Sequence, residues 1–214
     1  KIEIGRQQVV DVRFEIAGVC LTMKVYTTEQ ALAAQVDRAL PPQIRFYRYG
    51  DRTTQIIRFL IENEMDVAKT VTAIKQTALF RLYWHADEIT ISDVKDAFAK
   101  MEGFPTGVTE DGRIVWFLNC NFQTAVKIQD FMLASIYAVD DLQRRLYEEC
   151  QRRGIQEAYK DYCVIVADTA NVSYASLTTK MEKAGVDVFV RHFPSFMSVN
   201  DIFISDDTAF QPTY

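Results

Sequence analysis

Few residues in this chain combine the types and the spacing that chemistry needs. Tyr162-Cys163-Val164-Ile165-Val166-Ala167 is an unbroken apolar run closed by Asp168. A carboxylate at the C-terminal end of such a strand is where α/β enzymes often place a catalytic or metal-binding group. The plainer reading of Asp168 is a cap or turn residue, because no second Asp follows two residues on to complete a phosphatase-like pair. His85 and His192 stand far apart, and neither lies beside a Cys or Ser in a nucleophile elbow. The chain contains no G-x-S-x-G and no G-x-x-x-x-G-K-[ST], which removes the best-defined hydrolase and phosphate-loop signatures. Cys20, Cys120, Cys150 and Cys163 are scattered without a C-x-x-C pair, so no zinc-site spacing exists. Free thiols in a reducing compartment are the expectation. The chain is accordingly expected not to be an enzyme, with no catalytic residue, metal or cofactor.

The composition sets what else the chain can do. Its 214 residues are 49% hydrophobic and 25% charged, with 8 Gly and 5 Pro, so they form globular structure. A chain of this length can bury a sizeable core and still enclose a cavity. The net charge of -5, from 24 basic and 29 acidic residues, argues against nucleic acid as a partner. No uncharged apolar run reaches the roughly 18 residues of a transmembrane helix, and no signal-peptide pattern opens the chain. A cytoplasmic location with peripheral membrane contact is expected. The first residue is Lys1 rather than Met, which leaves room for a preceding segment that could carry targeting information.

The elements that must position any site follow from periodicity. Val10, Val12, Phe14 and Ile16 alternate, as do Val19, Leu21, Met23 and Val25 after Ala17-Gly18, which predicts a β-hairpin with one buried face. Thr28-Glu29-Gln30-Ala31 begins a helix to about Leu40, stopped by Pro41-Pro42. A second helix is predicted from Thr53 or Thr54 to Asn63, with Ile56, Ile57, Leu60 and Ile61 inward. Asp66 is the natural N-cap of a third, whose Val67, Val71, Ile74, Ala78 and Leu82 recur at helical spacing. A fourth runs from Ser92 to about Met101, before Gly103-Phe104-Pro105.

From Arg113 the pattern changes. Ile114-Val115-Trp116-Phe117-Leu118 is continuously apolar, as in a strand covered on both faces. A long helix from about Thr124 to Arg153 follows and ends at Gly154. The strand ending at Asp168, a helical stretch over residues 173–192 and a third strand over Val199 to Ile204 complete an α/β alternation. Among the charged segments, Arg45-Phe46-Tyr47-Arg48-Tyr49 with Arg52 and Arg58 could meet anionic head groups, at about 1 kcal/mol per basic residue. Its plainer reading is a linker whose aromatics pack on the N-terminal hairpin. Arg144-Arg145 and Arg152-Arg153 among Asp140-Asp141 and Glu148-Glu149 read as a solvated helix face with i, i+4 pairs.

Several short motifs recur in an order that resembles the CRAL-TRIO lipid-binding family, which includes yeast-type phosphatidylinositol-transfer proteins. Arg58-Phe59-Leu60, Asp66-Val67 and Phe80-Arg81 stand where that family carries Arg-Phe-Leu, Asp-Val and Trp-Arg in its N-terminal helices. Gly112-Arg113-Ile114-Val115 is similar to the turn before its first strand, with Ile114 in place of a frequent Pro. Val164-Ile165-Val166-Ala167-Asp168 fits its second strand. His192-Phe193-Pro194-Ser195 keeps the aromatic and the proline of a Tyr-Pro-Glu-Arg motif and loses both charges. The likeness spans residues 54–204. The family's Asn-Ala-Pro-like turn and gate helix have no counterpart before Tyr214, so either the chain given is truncated or this member lacks the gate.

The resemblance implies an α/β fold of N-terminal helical hairpins followed by a mostly parallel sheet flanked by helices, with an extra N-terminal β-hairpin. The expected organisation is a hairpin extension and linker over 1–50, a helical subdomain over 51–110 and a lipid-binding-like α/β domain over 111–214. It further implies non-catalytic binding of a hydrophobic ligand, a phospholipid or similar molecule, in lipid transfer or sensing. The pocket-lining candidates are Trp116, Phe117, Leu118, Phe122, Phe131, Val164, Val166 and Phe189. Filling a closed core is the alternative role for each of them. Glu182 and Lys183 lie near the place of the family's head-group pair, although ordinary helix surfaces carry the same types. The competing function is a protein-interaction or scaffold domain within a larger assembly, with a partner bound through the N-terminal hairpin.

Overall fold

A computed structural model describes residues 10–16, 19–25, 28–101, 103–110, 112–119, 127–159, 163–168, 191–194 and 202–204. Strands β1 (Val10–Ile16) and β2 (Val19–Val25) form the expected antiparallel hairpin, in register from Val10↔Val25 to Ile16↔Val19.

Helices α1 (Thr28–Ala39), α2 (Arg52–Glu62) and α3 (Val67–Tyr83) build a first core. The Asp51 carboxylate accepts the Thr54 N–H at 2.9 Å and the Asp66 carboxylate accepts that of Lys69 at 2.9 Å, so each closes a helix N-terminus. Val36, Leu40, Ile57, Leu60 and Ile74 are buried together there with Phe46. Phe46 packs edge-on against Phe59 of α2, with ring centroids 5.7 Å apart. Phe46 of the 45–49 segment therefore packs on α2, while the side chains of the N-terminal hairpin lie outside the described residues.

Helix α3 keeps its predicted face at Val67, Val71, Ile74 and Ala78, which lie in or against the first core, and departs from it at its C-terminal end. Its buried stripe is Thr70, Ile74, Thr77 and Arg81, while Leu82 of the apolar series is exposed. Two of the polar side chains in this stripe reach partners on other elements. Thr77 shares a hydrogen bond with His192 at 3.1 Å, and Arg81 binds Asp140. A 3₁₀ turn (Ala86–Glu88) and α4 (Ile91–Met101) lead to the sheet.

That sheet has the order β3 (Gly103–Val108), β4 (Ile114–Asn119), β5 (Cys163–Asp168), β6 (Ile202–Ile204). β4–β5 and β5–β6 are parallel, and β3–β4 is antiparallel. The fold is α/β with a mixed sheet. β3 replaces the break expected at Gly103-Phe104-Pro105. It is an edge strand, where a proline's missing donor is tolerated, and a register shift between Pro105 and Gly107 absorbs the irregularity. Helix α5 (Ile128–Arg153) links β4 to β5, and Gly154 ends it in the left-handed conformation at φ 65°. A second core gathers Ile114, Trp116, Cys163 and Ile165 with Phe131, Ile136 and Leu142 of α5 and Val94 of α4. Residues 124–126 and 173–190 of the predicted helices lie outside the described residues.

Candidate functional site

The parallel pair β4–β5 divides the predicted lining residues between two faces. Ile114 and Trp116 pair with Cys163 and Ile165, and all four are buried in the core with α5. Phe131 lies in that core too, so Trp116 and Phe131 fill packed structure. On the other face Val115 pairs with Val164 and Phe117 with Val166, and all four side chains are half-buried. These four residues are apolar, in two cross-strand pairs two residues apart, and the next pair in the same alternation is Asn119↔Asp168. Phe117, Val164 and Val166 thus come together, and Val115, absent from the predicted set, joins them. The signal for Val115 was its alternation with Phe117 along one strand. The backbone of Leu118 pairs with Ala167, while its side chain, Phe122 and Phe189 lie outside the described residues. So do Glu182 and Lys183 and the Asp168 side chain.

The motif residues of the first helices have structural partners in the α/β layer. Arg58, 1% exposed, donates to Glu157 at 3.2 Å and to the Ala158 carbonyl at 2.8 Å. Arg81, 3% exposed, donates to both Asp140 oxygens at 3.0 and 2.8 Å and to Asp87 at 2.5 Å. Two buried guanidinium groups thereby clamp α2 and α3 to α5 and to the segment after it. Burial pushes the Asp140 carboxyl above the usual carboxylate range against the pull of Arg81, and does the same to Glu157 against Arg58. Burial also opposes the charge on Arg81, but its hydrogen bonds to Asp140 and Asp87 prevail and hold the guanidinium protonated. Asp140 is the exception in the charged cluster of α5. Its neighbours pair on the helix surface as expected, Arg145 with Asp141 and Arg153 with Glu149, both at 2.6 Å.

Phe80, beside Arg81, stacks on the His192 ring with centroids 4.1 Å apart and planes inclined by 12°. Phe193 is buried in the core of the α/β layer. The Phe80-Arg81 and His192-Phe193-Pro194 motifs, more than a hundred residues apart in sequence, are therefore in contact. Gly112 is fixed by conformation and by space. Its φ is +90°, and a Cβ there would lie 2.9 Å from Cδ1 of Ile155.

A groove of about 610 Å³ lies along α3, with Ala78, Leu79 and Leu82 on one wall and Ile44 among the facing residues. Leu82 is exposed although its place in the apolar series implies an inward position, whereas Ala78 is half-buried against the first core. His85 sits in the left-handed conformation at φ 49°, exposed, 3.7 Å from Glu88. Among the described residues, no group of three or more His, Cys, Asp or Glu is placed to hold a metal ion. Cys150 and Cys163 are both buried, and burial raises the Cys150 pKa. Also among the described residues, no helix is long and apolar enough to cross a membrane. No family model matches the chain, and no curated protein matches it.

Proposed function

We propose that the α/β layer binds an apolar ligand, a phospholipid or a molecule of that class, on the second face of β4–β5, without catalysing a reaction on it. The observation that carries the reading is the registered set Val115, Val164, Phe117 and Val166, apolar on the face that α5 does not fill and only half-buried. A sheet apolar on both faces needs an apolar cover on each. An acyl chain laid on such a face gains about 0.8 kcal/mol per methylene removed from water. A CRAL-TRIO-like fold is part of the same proposal. It is supported by Arg58, Arg81, Gly112 and the His192-Phe193-Pro194 turn, each of which has a defined packing or pairing role at its motif position.

The test is a fluorescence titration of the chain with a pyrene-labelled phospholipid, comparing Phe117→Asp and Val166→Asp with the unaltered protein. Saturable binding that both substitutions weaken by ~10-fold or more supports the site, since each places a carboxylate in an apolar contact. Binding unchanged by either substitution, or no binding by the unaltered chain, overturns it. The alternative, a protein-interaction domain, is favoured by one specific observation, the exposed apolar surface of α3.

A further inference from the structure

We infer that the ligand of the β4–β5 face carries an ammonium head group, bound at the C-terminal ends of these strands by Asn119 and Asp168. The inference rests on the apolar-ligand reading above and names the polar half of the same ligand. Register places the pair. Val115 pairs with Val164, Phe117 with Val166 and Asn119 with Asp168, in one alternation and therefore on one face. That face continues to both edges of the sheet, where Phe104 of β3 pairs with Phe117 and Ile202 of β6 with Val166. Phe104, Phe117, Val166 and Ile202 thus form an apolar row across all four strands. The next step along β4 and β5 brings Asn119 and Asp168. The apolar surface ends in one polar pair on the side where open α/β sheets receive ligands, outside the carboxyl ends of their strands.

The residue types select the head group. Among the described residues of the four strands, Asp168 is the one charged residue. A carboxylate at the rim of an apolar surface is costly without a cation or hydrogen-bond donors beside it. A carboxylate and a carboxamide on neighbouring strands, about 4.8 Å apart, offer three acceptor oxygens, and an ammonium has three N–H donors to meet them. A head group that ends in a phosphate monoester meets the like charge of Asp168 instead. An ethanolamine phospholipid and a long-chain amine share the ammonium chemistry. In either, the acyl or alkyl part lies on the apolar row and the ammonium lies at its C-terminal border.

Fluorescence titrations with pyrene-labelled phosphatidylethanolamine, pyrene-labelled phosphatidic acid and a pyrenyl alkylamine test the assignment. They compare the unaltered chain with Asp168→Asn, Asn119→Asp and Phe117→Asp, with circular dichroism confirming each fold. The unaltered chain is expected to bind the ethanolamine probe ~10-fold more tightly than phosphatidic acid. D168N removes that preference, and N119D, which adds a second carboxylate, widens it by ~3-fold or more. An alkylamine that binds as tightly as the ethanolamine lipid shows that the amine suffices; binding of the ethanolamine lipid alone assigns the site to the phospholipid. Both results keep the ammonium at Asp168 if D168N weakens them. A preference for phosphatidic acid, or an amine preference that D168N leaves intact, overturns the inference while leaving the apolar site standing. No binding of any probe, or binding that Phe117→Asp leaves unchanged, overturns the apolar site and this inference with it.

Discussion

Replacing Arg81 by Met separates the buried clamp from ordinary surface ion pairing. The guanidinium is 3% exposed and makes two hydrogen bonds, of 3.0 and 2.8 Å, to Asp140, itself 1% exposed. Met keeps much of the aliphatic volume and removes the charge, which leaves a carboxylate buried without its cation. Breaking a buried pair in this way costs about 3–5 kcal/mol. In a chain of this size that lowers Tm by about 6–20 °C, at roughly 2–4 °C per kcal/mol. Burial already holds the Asp140 carboxyl above the usual range, and without Arg81 it rises further. A raised folded-state pKa contributes stability below the unfolded value of about 3.9 that is lost as pH rises through the folded value. The deficit of R81M is therefore smallest in acid and largest at neutral pH and above. The double variant R81M/D140L removes both charges and recovers at least half of the loss. Urea unfolding followed by circular dichroism across pH measures all of this. An R81M variant within about 0.5 kcal/mol of the unaltered chain at neutral pH, or a double variant no more stable than the single, refutes the clamp.

Gly112→Ala forces a Cβ to 2.9 Å from Ile155 at a φ of +90°, and is expected to cost about 1–3 kcal/mol in the same unfolding assay. Gly107→Ala, where a Cβ meets nothing within 4 Å, stays within about 0.5 kcal/mol. Glu149 is held down to a pKa of about 2 by hydrogen bonds from Arg152 and Arg153. Its stabilisation is therefore present above the ordinary carboxylate range and lost as pH falls toward about 2. The Tm gap between the unaltered chain and Glu149→Gln should be open near neutral pH and closed at the acid end; a gap that widens in acid contradicts the pairing.

Local signals were legible in the sequence because the physics behind them is local. Asp66 caps α3, Gly154 ends α5 and the 114–118 run forms a strand, each determined within one turn or one strand. The burial of Arg81 near the end of α3 was not legible, because Arg81 is held by Asp140, fifty-nine residues further on. Asp140 looks like any carboxylate of the charged helix face that Asp141 and Glu148 do occupy. β3 was hidden by Gly103, Pro105 and Gly107, which lower strand propensity wherever they stand and are tolerated only because β3 is an edge. The site was half legible. A continuously apolar strand announces that both faces are covered and gives no clue to which face is core. Trp116 and Phe117 were therefore grouped together, although the fold sends them to opposite sides of the sheet.

The most direct test of ligand binding on the β4–β5 face is native mass spectrometry after incubation with mixed phospholipid vesicles, followed by organic extraction of the isolated protein. The account predicts one adduct of a few hundred daltons per chain, recovered in the organic phase and absent from Phe117→Asp at equal folding. An apo mass for the unaltered chain, or an adduct retained in full by Phe117→Asp, contradicts it.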